Sequence, residues 1–221
     1  MFFYEVARLI GVISGLPVHW LFFKRKVYYE DKKVQGRRVR GGALIISNHF
    51  CPLDYVMNVV LFFPRKLFVL TLPLVFRSKL MRTLMKFWGG IEVNQESKNP
   101  RFIIEAAKEI KNGHLVQIFP EGHNTPDGKM HPFYPSYVAI ALRANAPIIP
   151  VITDGNYGLF KRTHIIIGKP IDPRDYLTGE KYTKEDMLRI NEIIYQKAQD
   201  LRAEIDRRIQ AGRKTRKENP Q

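Results

Sequence analysis

At 221 residues the chain suits one domain, or one domain with a helical appendage, and its 45% apolar content excludes both a disordered chain and a polytopic membrane protein. Cys51 is the only cysteine, so no internal disulfide forms and a reducing compartment is expected. The 36 basic and 21 acidic side chains give a formal +15, which implies an anionic counterpart (nucleic acid, an anionic membrane or a phosphorylated substrate) without choosing among them.

Residues 1–23 (MFFYEVARLIGVISGLPVHWLFF) are mostly apolar and aromatic. Glu5 and Arg8 near the start, and Trp20 to Phe23 at the end, do not fit a secretory signal. The uncharged run begins after Arg8 and contains Pro17, where a spanning helix needs about 20 apolar residues. An interfacial helical segment lying on a membrane is the expectation; a hydrophobic helix packed on the domain is the alternative. The basic cluster that follows carries Lys24, Arg25, Lys26, Lys32, Lys33, Arg37, Arg38 and Arg40 against Glu30 and Asp31, a pattern that favours anionic headgroups of the cytoplasmic leaflet.

The interior alternates. Gly42 to Ser47 reads as a buried strand, and a helix runs from Pro52 to Val60. Residues 61–76, with two prolines, read as a strand plus an apolar surface loop. Arg101 to Lys111 is a helix stopped by Asn112-Gly113. His114 to Phe119 is a strand, Tyr137 to Ala144 a helix, and Ile148 to Thr153 and His164 to Gly168 two further strands. Thr183 and Asp186 form a capping box that opens a C-terminal amphipathic helix. Its stripe of Met187, Ile190, Ile194, Leu201, Ile205 and Ile209 should pack on the domain, and the tail from Arg213 should be disordered. The expected architecture is α/β, a single mixed-sheet domain flanked by helices. Residues 1–40 form the membrane-associating segment, 41–212 the domain and 213–221 a basic tail.

Two segments carry chemistry. In Ser47-Asn48-His49-Phe50-Cys51-Pro52-Leu53-Asp54 a strand ends, the chain turns and a helix starts. His49 can take a hydroxyl proton near neutral pH, and Asp54 in the first helical turn can reach back to orient it. Asp54 also suits a helix start with no catalytic role. In Phe119-Pro120-Glu121-Gly122-His123-Asn124-Thr125 a carboxylate and a glycine sit at another strand end, where a plain polar turn is the other reading.

Together these segments resemble the glycerolipid acyltransferase family, typified by the 1-acylglycerol-3-phosphate acyltransferases. The resemblance runs from Ala43 to about Lys169, with four blocks in the family's order: Asn48-His49 through Asp54 (His-x4-Asp), Gly89 through Gln95, Phe119-Pro120-Glu121-Gly122, and Pro147-Ile148-Ile149-Pro150-Val151. It implies a glycerol-3-phosphate acyltransferase-like fold. His49 and Asp54 would be catalytic; Asn48, Gln95, Pro120, Glu121, Gly122, Asn124 and Thr125 would form the substrate-binding set. His49 would deprotonate the acceptor hydroxyl, which attacks the thioester of acyl-CoA or acyl-carrier protein with no metal, no cofactor and no covalent acyl-enzyme. The implied partners are that donor, a lysophospholipid acceptor and an anionic membrane surface, for a peripheral or monotopic protein on the cytoplasmic face of the cell membrane in phospholipid biosynthesis.

The match departs from the family at the positions tied to the acceptor phosphate. The arginines usual there are Gln95 and Asn124, and Tyr134-Pro135-Ser136 replaces a basic-x-Gly after Pro132-Phe133. Lys86, Lys129 or the basic cluster could bind phosphate instead, or the acceptor could be another lysolipid or a glycolipid. 1-Acylglycerol-3-phosphate is the first expectation. Cys51 reads as a spectator thiol, and His123 and His131 match no dense metal pattern. The rival classes are a nucleic-acid-binding module, for which no motif exists beyond charge, a metal-dependent hydrolase using His49, Asp54, Glu121 and His123, and a membrane scaffold.

Overall fold

The computed structural model describes residues 2–93, 101–125 and 127–218. Four-residue all-buried runs such as Ala43–Ile46 and Leu115–Ile118 cannot alternate between core and water, so they form strands covered on both faces. The strands are β1 (Lys26–Tyr29), β2 (Ala43–Ile46), β3 (Leu67–Thr71), β4 (Gly90–Glu92), β5 (Leu115–Ile118), β6 (Ile148–Thr153) and β7 (His164–Ile167). They build one sheet in the order β1-β7-β6-β2-β5-β3-β4, parallel except for the β6–β7 pair.

The side-chain period of two divides the core. Leu44, Ile46, Val116, Ile118, Ile148 and Ile152 point to one face. There they meet α4 (Arg101–Lys111), α5 (Ser136–Ala144) and α6 (Lys184–Glu218). Ala43, Ile45, Leu115, Ile149 and Val151 point to the other, with Val12 of α1 (Phe2–Phe22) and Met57, Val60 and Leu61 of α2 (Leu53–Leu61). The capping box is present: Asp186 N donates to Thr183 Oγ1 at 3.0 Å, and Thr183 N donates back to the Asp186 carboxylate at 3.1 Å. Ile190, Ile194, Leu201 and Ile205 are buried on the domain as the stripe predicts.

The structure differs from the sequence reading in four places. The basic stretch after residue 25 contributes edge strand β1, and Gln35 and Val39 are buried, so residues 26–40 join the domain. Ten residues beyond the apolar stretch, which the sequence reading left unassigned, fold as α3 (Lys79–Trp88), capped by Ser78 Oγ accepting from Met81 N at 3.0 Å and closed by Gly89 at φ +93°. β4 is three residues long and too short to read from a pattern. Finally, α6 continues to Glu218, past the boundary expected at residue 212, because lysine, arginine and glutamate are good helix formers.

No helix among the described residues is long and apolar enough to cross a membrane. One side of α1 packs on the domain: Val12 is buried, and Arg8 pairs with Glu5 at 3.0 Å. Glu5 in turn meets Lys66 at 2.9 Å. The opposite side exposes Ile10, Ile13, Trp20 and Leu21, at helical spacing.

Gly42 leads into β2 under the end of α4. A Cβ there would sit 1.8 Å from the Ile110 backbone oxygen, which no rotamer can relieve. Gly42→Ala is expected to cost about 3 kcal/mol, lowering Tm by roughly 6–12 °C in a calorimetric melt.

Candidate active site

The carboxyl ends of β2, β5 and β6 lie side by side at the centre of the sheet, where connections leave toward opposite faces. His49 follows β2, Glu121 follows β5, and Tyr157 follows β6. The turn after β2 is short because α2 starts at once, which brings the fifth residue after His49 back against its ring. His49 Nδ1 and Asp54 Oδ2 are 2.9 Å apart.

Asp54 has no exposed surface, and its carboxylate is fully used. Oδ2 also accepts the amide protons of Phe50 at 2.7 Å and Cys51 at 2.9 Å, and the Tyr157 hydroxyl donates to Oδ1. This fixes the tautomer: with Nδ1–H donated to Asp54, Nε2 carries the free lone pair. The ring stacks on Phe119 at a centroid distance of 3.9 Å, and 17% of the side chain is exposed. His49 is therefore a base open on one nitrogen only.

Its backbone is held just as closely. His49 N–H donates to Glu121 Oε1 at 2.9 Å, and its carbonyl accepts from Thr125 N at 2.8 Å and Thr125 Oγ1 at 2.9 Å. Glu121 Oε2 accepts from His131 N at 2.7 Å. Burial raises the Glu121 carboxyl above its ordinary value, opposed by those two amide donors.

The residues expected to bind substrate have structural partners of their own. Asn48 is 2% exposed and spends its amide on the Thr153 backbone, donating to O and accepting from N at 2.9 Å each, so it ties β2 to β6. Glu121 and Thr125 are buried and hydrogen-bonded to His49, and the carbonyl of buried Pro120 accepts from Tyr134 N at 2.8 Å. Gly122, at φ +73°, leaves room for the Tyr134 ring, which a Cβ would meet at 3.0 Å. Two of the five, Glu121 and Thr125, hold the histidine directly. Asn124 is exposed, while Gln95 lies outside the described residues.

Burial, and then the Asp54 charge, raise the Cys51 thiol, so it stays protonated and is a poor nucleophile. The His123 and His131 rings meet edge to face at 5.2 Å, and among the described residues no three His, Cys, Asp or Glu are grouped to hold a metal ion. Tyr157 and Phe119 are the participants that spacing does not reveal. Tyr157 lies 103 residues from Asp54 with no motif around it.

An acyltransferase family model matches residues 25–154. The chain belongs to the acyltransferase family. A 1-acyl-sn-glycerol-3-phosphate acyltransferase of Bacillus subtilis is 26% identical over 170 residues, 75% of this chain and 83% of that protein. Enzymes of the same name from Limnanthes douglasii and Cocos nucifera are 30% and 32% identical over 69% and 72% of this acyltransferase, which spans about half their length (53% and 50%). The crystal structure of the 1-acyl-sn-glycerophosphate acyltransferase of Thermotoga maritima shares the fold, with a TM-score of 0.58 and 21% identity over 83% of this chain and 74% of that one.

Burial, then the neighbouring Asp54 charge, push the Tyr157 phenol far above its ordinary value, so it remains a donor to Asp54. Tyr157→Phe removes a hydrogen bond to a charged group, worth about 1.5–3 kcal/mol. The acyl-transfer kcat is expected to fall roughly tenfold, with KM within about twofold and Tm lowered by roughly 3–12 °C. An unaltered kcat would show that Asp54 needs no such support.

Proposed function

We propose that this acyltransferase transfers a fatty acyl group from acyl-CoA or acyl-carrier protein to the free hydroxyl of a lysophospholipid, 1-acylglycerol-3-phosphate first, in phospholipid biosynthesis. The observation that carries the reading is the His49–Asp54 pair at 2.9 Å, with Nε2 the imidazole nitrogen left free. The relatives' names, 1-acyl-sn-glycerol-3-phosphate acyltransferase, favour that acceptor.

Nε2 accepts the hydroxyl proton as the alcohol oxygen attacks the thioester carbonyl carbon. The buried Asp54 carboxylate offsets the charge that develops on the ring. The tetrahedral intermediate expels the thiolate, the C–S bond breaks, and the imidazolium returns its proton to the sulfur. Atoms balance with two substrates and no cofactor. Because Nδ1 is already hydrogen-bonded and the ring is stacked, little reorganisation accompanies the proton transfer.

The enzyme works at a membrane surface in this reading, on the cytoplasmic face. The exposed Ile10, Ile13 and Trp20 of α1, and Leu72, Leu74, Leu80 and Leu84 from the segment through α3, would bury apolar surface in the lipid interface.

His49→Ala should lower acyl transfer by about 10²–10⁴-fold, and Asp54→Asn by up to about 10⁴-fold through loss of the productive tautomer. His49→Ala should keep the native melt, whereas Asp54→Asn, which deprives buried donors of the turn of their acceptor, should lower it; near-full activity in either would end the assignment. Labelled acyl-CoA offered with a panel of lysolipids tests the acceptor: the phosphate monoester should react fastest, and a preferred glycolipid would overturn it. Replacing Ile10, Ile13 and Trp20 together by serine should weaken liposome sedimentation at least about tenfold by loss of buried apolar area. Unchanged sedimentation would assign membrane contact to another surface.

A further inference from the structure

Between the end of α1, α2 and the loop before β7 lies a cleft of about 540 Å³, a size suited to a small ligand. Its wall combines two chemistries. Leu16, Phe23 and Val60 are apolar, whereas Lys24, Arg25 and Arg162 are cationic, and no carboxylate lines it. Two polar atoms there are buried and have no hydrogen-bond partner: Nη1 of Arg25 and Nε2 of His19, whose residue is 6% exposed. Buried polar atoms are nearly always satisfied, so Arg25 Nη1 calls for an acceptor, and His19 Nε2 calls for one whenever it carries a proton. Trp20, also part of the lining, is 71% exposed, and Phe160, two residues before Arg162, is 96% exposed.

We propose that this cleft is a second binding site, for a phosphate ester carried on an apolar stem. A phosphate oxygen accepts several donors at once and carries enough charge to satisfy three converging cations, with a guanidinium offering its forked geometry. The apolar wall takes the stem, and the exposed rings flank the entrance. Arg25 is crowded by Arg37, and burial, followed by the Arg25 charge, lowers His19 to about 4. A bound anion would relieve both positions. None of its lining residues is His49 or Asp54, although Phe23 touches the Tyr157 ring at a centroid distance of 5.2 Å, and the proposal stands whether or not the catalytic reading does, since its test involves no acyl transfer. Two sources share the chemistry: a membrane phospholipid headgroup and the phosphate-bearing arm of coenzyme A.

Calorimetric titration of the full chain with decyl phosphate, below its micellar concentration, tests the proposal. Decyl phosphate should bind at least about tenfold more tightly than decanol or inorganic phosphate, because charge-assisted hydrogen bonds and stem burial act together. Arg25→Gln should weaken it about tenfold or more. Arg25 is partly buried, so exposed Arg162→Ala, which disturbs no packing, should weaken binding in the same direction. Competition assigns the source: displacement by coenzyme A identifies the donor arm. Displacement only by vesicles of one part phosphatidylglycerol to two parts phosphatidylcholine identifies a lipid headgroup. Affinity unchanged in both variants, equal binding of decanol, or displacement by neither competitor would overturn the proposal.

Discussion

Glu121, with no exposed surface, accepts the amide protons of His49 at 2.9 Å and His131 at 2.7 Å, and the geometry of the His49 loop is built around that carboxylate. A buried carboxylate is costly unless donors surround it, and burial indeed raises its proton affinity. Without it, two backbone N–H groups would be stranded beneath the surface. The His49 carbonyl is taken by Thr125, so the residue after β2 is fixed to the loop after β5 from both sides. Only then does the direction of the imidazole become a property of the sheet, and Nε2 a fixed point toward which a substrate can be aimed.

Asp54 solves the complementary problem. Its Oδ2 gathers the His49 ring and two turn amides, and its Oδ1 takes the Tyr157 hydroxyl. The same carboxylate therefore shapes the turn between β2 and α2 and orients the base. The bland reading of an acid at a helix start and the catalytic reading are one arrangement. A spectator acid would be expected to point to solvent; this one has no exposed surface.

How much of this the sequence disclosed follows from which interactions are local. His49 and Asp54 are five residues apart across a strand-to-helix turn, so a contact between them was within reach of a local reading. Strands β2, β5 and β6 were legible as mainly apolar runs, and the stripe of α6 as a helical period. Tyr157 and Phe119 reach the site through strand order, which no local pattern encodes. The partners of Asn48, Glu121 and Thr125 were equally out of reach of the sequence, since Thr153 for Asn48 and His49 for the others are brought up by long-range pairing. β1 was missed because an edge strand in a basic stretch carries a weak signal.

The net charge of +15 can now be divided. On α6, Arg202 pairs with Asp206, and Arg207 and Arg208 share Glu204, ion pairs at a solvated face that contribute little to stability. The cations around the end of α1 differ in kind: Arg25 has a buried nitrogen with no partner and is pushed down by burial, and no acid lines the cleft it shares with Lys24 and Arg162. Covering part of a guanidinium beside like charges is costly, and a bound anion would offset that cost. These cations lie next to α1, a helix that also turns an apolar stripe outward. That coincidence matches an amphipathic surface of phosphate over hydrocarbon better than a nucleic acid, whose phosphates would be followed by bases rather than by alkyl chains.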